Sequence, residues 1–205
     1  MVERQLRARQ IDDERVLAAM GEVPRELFLP EKLRDRAYAD SALPIGEKQT
    51  ISQPWIVAAI CQALQLEGSE MVLEVGTGSG YSAAVLSRLA AHVVSIERHR
   101  ALSRAAAGVL EALGIRNVEL IVGDGSLGVP DHGRFDAIAV HATAPAAPPA
   151  LLDELVDGGR LVIPIAAGGA DMLTVLRREG ERFERVEISP CRFVPLIGEE
   201  GFGGS

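Results

Sequence analysis

At 205 residues, with 47% hydrophobic and 24% charged residues, the chain can bury one sizeable core and is too short for two ordinary domains. A formal charge of −8 argues against nucleic acid as a main partner, because phosphate binding needs a concentrated basic surface. No apolar run reaches the ~18 residues of a membrane span, and the opening stretch MVERQLRARQIDDER is charged throughout, unlike a signal peptide. The expectation is a cytoplasmic protein with no membrane contact that acts as a monomer. Cys61 and Cys191 read as reduced thiols, and the four histidines have no ligand-like spacing, so no metal is expected.

Residues 1–30 read as helical, with apolar positions at Leu6, Ile11, Val16, Leu17 and Met20. Asp12 or Asp13 can cap the second helix, and Pro24 and Pro30 bracket a short turn around Leu27 and Phe28. Residues 31–51 lack clean periodicity and end in the loop ALPIGEKQTISQP. A helix is predicted from Gln53 or Pro54 to about Leu66, since proline suits the first helical turn.

From Glu70 the texture alternates between strand and helix. Strands are predicted at Met71–Val75, His92–Glu97, Val118–Val122, Phe135–Val140 and 160–165, and helices at 81–91, 102–113 and 149–156. Gly114 should stop the second of these helices and Gly158–Gly159 the third. Valine- and isoleucine-rich strands separated by helices indicate a mostly parallel α/β sheet covered on both faces. The tail reads instead as an antiparallel hairpin, 172–177 and 183–188, turning at Gly180. The whole of 1–205 then forms one domain: a helical and loop cap over 1–50, an α/β core over 51–165, and a C-terminal hairpin with a substrate-side segment over 166–205.

The first predicted strand runs into Glu74-Val75-Gly76-Thr77-Gly78-Ser79-Gly80-Tyr81. Glycines here let a ligand approach the main chain, and the following helix points free N–H groups into the crevice at the strand tips. A dinucleotide loop wants G-x-G-x-x-G, but the position for its third glycine holds Tyr81. The loop is instead G-x-G-x-G. Glu97 ends the next strand, where a carboxylate can accept hydrogen bonds from both ribose hydroxyls of adenosyl or NAD groups alike. Gly123-Asp124-Gly125 follows the third strand; Asp124 could accept from an adenine amine while Gly125 leaves room for the ring. Singly these are ordinary features, a turn, a solvated acid and a capping residue. Together, at successive strand ends, they point to a nucleoside cofactor.

The E-x-G-x-G-x-G pattern resembles motif I of class I S-adenosylmethionine-dependent methyltransferases, which have a Rossmann-like sheet. VPRELFLP (23–30), ALPIGEKQTISQP (42–54), VLEVGTGSGY (72–81), SIERH (95–99), VGDG (122–125), FDAIAV (135–140), GGRLVIP (158–164) and RFVPL (192–196) occur in that order. Together they resemble the protein-L-isoaspartate (D-aspartate) O-methyltransferase family over essentially the whole chain, TISQP and RFVPL being the specific segments. The resemblance implies methylation, from S-adenosyl-L-methionine, of the α-carboxylate of isoaspartyl residues in damaged proteins. Loss of the ester then re-forms a succinimide, and some of it returns to aspartate.

The resemblance also implies roles for individual residues. Ser52 matches the family's active-site serine, as a hydrogen-bond donor that orients the carboxylate. Thr50, Ile51, Gln53, Glu74, Gly76, Thr77, Gly78, Ser79, Gly80, Glu97, Arg98, Gly123, Asp124 and Gly125 would border the cofactor. Ile45, Gly46, Ser52, Cys191, Arg192, Phe193 and Val194 would face the substrate, 191–194 by pairing with an extended peptide. From the residues alone, Ser52 could be an ordinary cap and 191–194 a plain edge strand. His141 departs from the family, which has a small or hydroxyl residue there, and it receives no family role. Two other readings are a methyltransferase with another acceptor, such as a small-molecule carboxylate, and a non-catalytic cofactor-binding module. The first would vary 42–54 and 191–196; the second would tolerate loss of Ser52.

Overall fold

The computed structural model describes residues 1–203. Short helical turns at Val2–Leu6 and Arg7–Arg9 lead into α1, Glu14–Glu22, whose first N–H groups are capped by Asp13 accepting from Arg15 and Val16 at 2.9 and 3.2 Å. Two more turns, Arg25–Phe28 and Glu31–Arg36, follow. The expected loop over 42–54 is in part a small antiparallel hairpin, β1 (Leu43–Gly46) and β2 (Gln49–Ile51), with Leu43 opposite Ile51. Its strands are too short and mixed to show a period. Pro54 then opens α2, Pro54–Leu64, at the first-turn position expected for it.

The alternating region forms β3 (Met71–Val75), α3 (Tyr81–Leu86), β4 (His92–Glu97), α4 (Arg100–Ala112), β5 (Val118–Val122), β6 (Phe135–Val140), α5 (Pro149–Asp153) and β7 (Leu155–Ala167). β8 (Ala170–Glu179) and β9 (Arg182–Cys191) complete a seven-stranded sheet of order β5-β4-β3-β6-β7-β8-β9. β5 to β7 pair in parallel, and β8 and β9 extend the sheet antiparallel, as the sequence predicted. Successive residues of a strand feed opposite faces: Val72 and Ala137 join the core with α1 and α2, Leu73 and Ile138 the core with α5. No helix among the described residues is long and apolar enough to cross a bilayer.

Several boundaries differ from the sequence reading. α3 stops at Leu86 rather than 91, and α5 at Asp153 rather than 156. Gly158–Gly159 does not end a helix; it lies inside β7, where pairing with β6 jumps from Phe135–Leu155 to Ala137–Arg160. A Cβ on Gly159 would lie 2.9 Å from the Val156 carbonyl oxygen and 3.1 Å from that of Asp136, so glycine permits this bulge. The hairpin strands are longer than 172–177 and 183–188, because cross-strand pairing continues past the apolar stretch as far as Asp171–Cys191.

Candidate active site

A cleft opens at the carboxyl ends of β3, β4 and β6, the place an α/β sheet offers a ligand. Its wall includes Thr50, Ile51 and Ser52 from the end of the hairpin, and Gly76, Thr77, Gly78 and Ser79 from the glycine loop. Glu97, Arg98 and Gly125 complete the expected set there. A second cavity adjoins it, lined by Ser52, Gln53, Trp55, Cys191, Arg192, Phe193 and Val194 among others. Thr50, Ser52, His141 and Val194 line both, so these four mark the junction.

Gly76, Gly78 and Gly80 hold φ of 96°, 54° and 87°, left-handed values that let the chain turn tightly beside the cleft without strain on a side chain. Glu97 fixes that loop: its carboxylate accepts from the Gly78 N–H and the His99 N–H, both at 2.9 Å. Each oxygen keeps a further lone pair for a ribose hydroxyl. A Cβ on Gly125 would lie 2.5 Å from Val75 Cγ1 and 3.1 Å from Ile96 Cγ2, so any side chain here would disrupt the cleft wall. The Glu97 carboxylate and the bare backbone leave room and acceptors for a nucleoside-sized ligand.

Some expected residues lie elsewhere. Glu74 is fully buried behind the loop and accepts from the Ser95 hydroxyl; it does not line the cleft. Its other oxygen stands 3.4 Å from His141 Nε2. Gly80 caps α3 rather than facing the cleft, and Gln53 joins the second cavity, not the first. Gly123 and Asp124 are not in the wall. Asp124 accepts from Ser126 and, across the fold, from the Glu199 N–H at 2.8 Å, so its carboxylate anchors the C-terminal segment. Burial pushes its carboxyl up, but those donated bonds outweigh it and hold the group below the usual range.

On the acceptor side, Ile45 sits over the glycine loop, its Cδ1 3.5 Å from where a Gly78 Cβ would be, and lines neither cavity. Gly46 lies at the hairpin turn and lines neither. Cys191 ends β9, and burial raises its thiol to about 11, so it stays protonated at neutral pH. Residues 192–194 are not a regular strand. The Phe193 N–H donates to Asp171 Oδ2 at 3.1 Å, and the Val194 carbonyl accepts from Thr143 N–H at 2.8 Å. Those two groups are therefore spent within the chain.

His141 carries no family role, but its place after the fourth predicted strand sets it near the cofactor crevice with local bonding and reach to substrate expected, and it stands at the junction. It is buried, with Nε2 2.8 Å from Ser82 Oγ and Nδ1 without a partner among the described residues. Tyr81, Ser82, His99 and 195–197 also line the cleft unpredicted. Tyr81 and Ser82 follow the glycine loop directly and were legible from it. Residues 195–197 arrive by long-range pairing with Thr143, for which a single sequence carries no local signal.

The strand order, the glycine loop after β3 and the acid that ends β4 define a class I S-adenosylmethionine-dependent methyltransferase. Comparison with known proteins narrows this. A sequence model of the protein-L-isoaspartate(D-aspartate) O-methyltransferase (PCMT) family matches residues 1–201. A protein-L-isoaspartate O-methyltransferase of Koribacter versatilis is 50% identical over 202 residues, covering 98% of this chain and 91% of the relative. A solved protein-L-isoaspartate O-methyltransferase is 31% identical with a TM-score of 0.86, over 98% of this chain and 67% of its own. A Plasmodium falciparum chain, described as a beta-aspartate methyltransferase in complex with S-adenosyl-L-homocysteine, is 26% identical with a TM-score of 0.82, over 96% of each chain. The chain belongs to the protein-L-isoaspartate(D-aspartate) O-methyltransferase family.

Proposed function

We propose that this chain methylates the α-carboxylate of L-isoaspartyl residues in damaged proteins, with Ser52 orienting that carboxylate at the junction of the two cavities. The observation that carries the reading is the placement of Ser52: it lines both the cofactor cleft and the adjoining cavity that 191–194 border. S-adenosyl-L-methionine, when bound, supplies an electrophilic methyl on a sulfonium. The glycine loop and Gly125 make room for it, Glu97 holds its ribose, and Thr50, Ile51 and Arg98 border it.

The chemistry asks little of the side chains. A carboxylate is already ionised at neutral pH, so no general base is needed. A carboxylate oxygen bonds to the methyl carbon as the carbon–sulfur bond breaks, giving an ester and a thioether. A cation and an anion become two neutral groups, so a site that sheds water from both favours the reaction. What remains is to hold oxygen, methyl and sulfur in line, which positioning supplies. Ser52 donates one hydrogen bond to the carboxylate oxygen that does not react. The rest of the 191–194 backbone pairs with the peptide around the damaged residue.

The chain works in the cytoplasm as a monomeric single domain, its partners the damaged proteins themselves. Residues 1–50 cap the core, and 166–205 supply the substrate side. Matched peptides bearing isoaspartate or aspartate, incubated with methyl-labelled cofactor, test the activity. Base-labile label on the isoaspartyl peptide alone supports the reading. Label on neither, with cofactor bound, would defeat it in favour of another acceptor or a binding module.

A further inference from the structure

The segment VPRELF places an arginine where an arginine is costly. Arg25 is fully buried, yet among the described residues no carboxylate forms an ion pair with it; Asp40 pairs with Arg9 instead. Its guanidinium has other partners. Nε donates to the Ala37 carbonyl at 2.7 Å, and Nη2 donates to the Ser52 carbonyl at 2.8 Å. The guanidinium carbon lies 4.8 Å from the centroid of the Tyr81 ring, and Nη1 is buried with no partner among the described residues. Three otherwise separate pieces therefore meet on one side chain: the cap, the segment carrying Ser52, and the first residue of α3 after the glycine loop.

A buried charge without a counter-ion is a poor source of stability, and an apolar residue of similar size commonly serves a core as well. A planar guanidinium offers what an apolar residue cannot, donors fixed in two directions and a face that stacks on a ring. Burial lowers its pKa to about 10, so it stays charged throughout the neutral range. Its bond falls on the main chain of Ser52 itself, one residue before the cap of α2. Through that carbonyl Arg25 holds the segment that carries Ser52. Fixing it fixes the direction in which the Ser52 hydroxyl leaves the backbone.

We infer that Arg25 is a positioning residue for methyl transfer, its guanidinium set over the Tyr81 ring and holding the Ser52 carbonyl so that the Ser52 hydroxyl faces the acceptor carboxylate. The inference rests on the role of Ser52 given above. It assigns Arg25 no contact with substrate or cofactor; its effect passes through Ser52.

A double-mutant cycle on the full chain tests it. Wild type, Ser52→Ala, Arg25→Met and the double variant are compared for rates on an isoaspartyl peptide, S-adenosyl-L-homocysteine affinity and melting temperature. Arg25→Met should lower kcat/KM by roughly tenfold to a hundredfold, mostly in kcat, as a mis-aimed positioning group does. Product affinity should stay within about twofold, and in the Ser52→Ala background the same replacement should cost less than about threefold. Equal losses in both backgrounds, or a parallel loss of product affinity, would overturn the inference and make Arg25 a general structural element. If Ser52→Ala alone leaves turnover intact, the Ser52 reading falls and takes this one with it. If Ser52→Ala is crippled and Arg25→Met is silent, only the Arg25 inference falls. Should Arg25→Met not fold, Arg25→Lys carries the same cycle, since an ammonium keeps the charge but not the two-way fork. Lys should then show a smaller loss that again vanishes beside Ser52→Ala; a loss that persists there counts against the clamp.

Discussion

The two halves of the junction are built by different means. The cofactor half stands on the ends of regular parallel strands, each delivering a short loop: the glycines after β3, Glu97 at the end of β4, Gly125 after β5. The acceptor half is assembled from irregular backbone, tied down by bonds between distant residues such as Arg25 to Ser52 and Phe193 to Asp171. A strand end is positioned by the whole sheet, whereas a loop is positioned only by its few ties. Disturbing one side should therefore separate cofactor binding from acceptor use, and the size of the effect should follow how many groups hold the altered residue.

The largest effect is expected on the cofactor side. Gly125→Ala puts a methyl 2.5 Å from Val75 Cγ1, and neither the strand nor its neighbour Ile96 can move far in a packed sheet. Overpacking of this kind costs about 1–3 kcal/mol of stability, and a shift of the wall should weaken S-adenosyl-L-homocysteine by roughly thirtyfold or more. Calorimetry with the product and a thermal melt check both. Retained affinity would show that the third strand end does not bound the cofactor. Ser52→Ala is next and opposite in kind. Losing one preorganised donor should lower isoaspartyl turnover by about a hundredfold, with product affinity changed less than about twofold. Equal loss of product binding would move Ser52 to the cofactor half.

Asp171 offers a gentler way to loosen the acceptor side alone. Its Oδ2 accepts from the Thr143 hydroxyl at 2.7 Å and from the Phe193 N–H at 3.1 Å, tying the loop after β6 to the 190–196 segment. Asp171→Ala frees both donors. The peptide KM should rise about threefold to tenfold with product affinity unchanged, since a looser wall must be ordered by the peptide itself. A change in product affinity without one in peptide KM would contradict the division into halves.

This division also explains what a single sequence could tell. Strand period, the glycine spacing and Glu97 are local signals, and they placed β3 to β6 and, in the cleft wall, Gly76, Thr77, Gly78, Ser79, Glu97 and Gly125. Ser52, Cys191 and Phe193 came from the likeness of TISQP and RFVPL to a family, because nothing local says that residue 52 meets residue 193 across a cavity. Local reading also misplaced side chains whose direction depends on distant partners. Glu74 turned inward to Ser95 because successive strand residues point to opposite faces. Asp124 turned to the tail because residues 198–200 pack against it, with a Cβ on Gly198 only 2.0 Å from Asp124 Oδ1. Gly158–Gly159 looked like a helix stop, yet the register of β7 against β6 required a bulge there.

Asp124 supplies the smallest test and the one most sensitive to pH. Its carboxylate accepts from Ser126 and Glu199, and burial, which opposes the charge, is outweighed by those bonds. The folded-state pKa is therefore below the unfolded one. Such a group stabilises the fold above the ordinary carboxylate value, near 3.8, and that contribution is lost as pH falls through the lower folded value. Asp124→Asn keeps the shape and one acceptor oxygen but removes the charge, so it should cost less than about 1 kcal/mol at pH 7. Melting curves of the two proteins should differ at neutral pH and converge only once the pH has fallen through the lowered folded-state pKa of Asp124. A gap that is unchanged down to that pH would mean the tail is held by shape alone. A gap accompanied by weaker product binding would return Asp124 to the cofactor wall, in spite of where its side chain points.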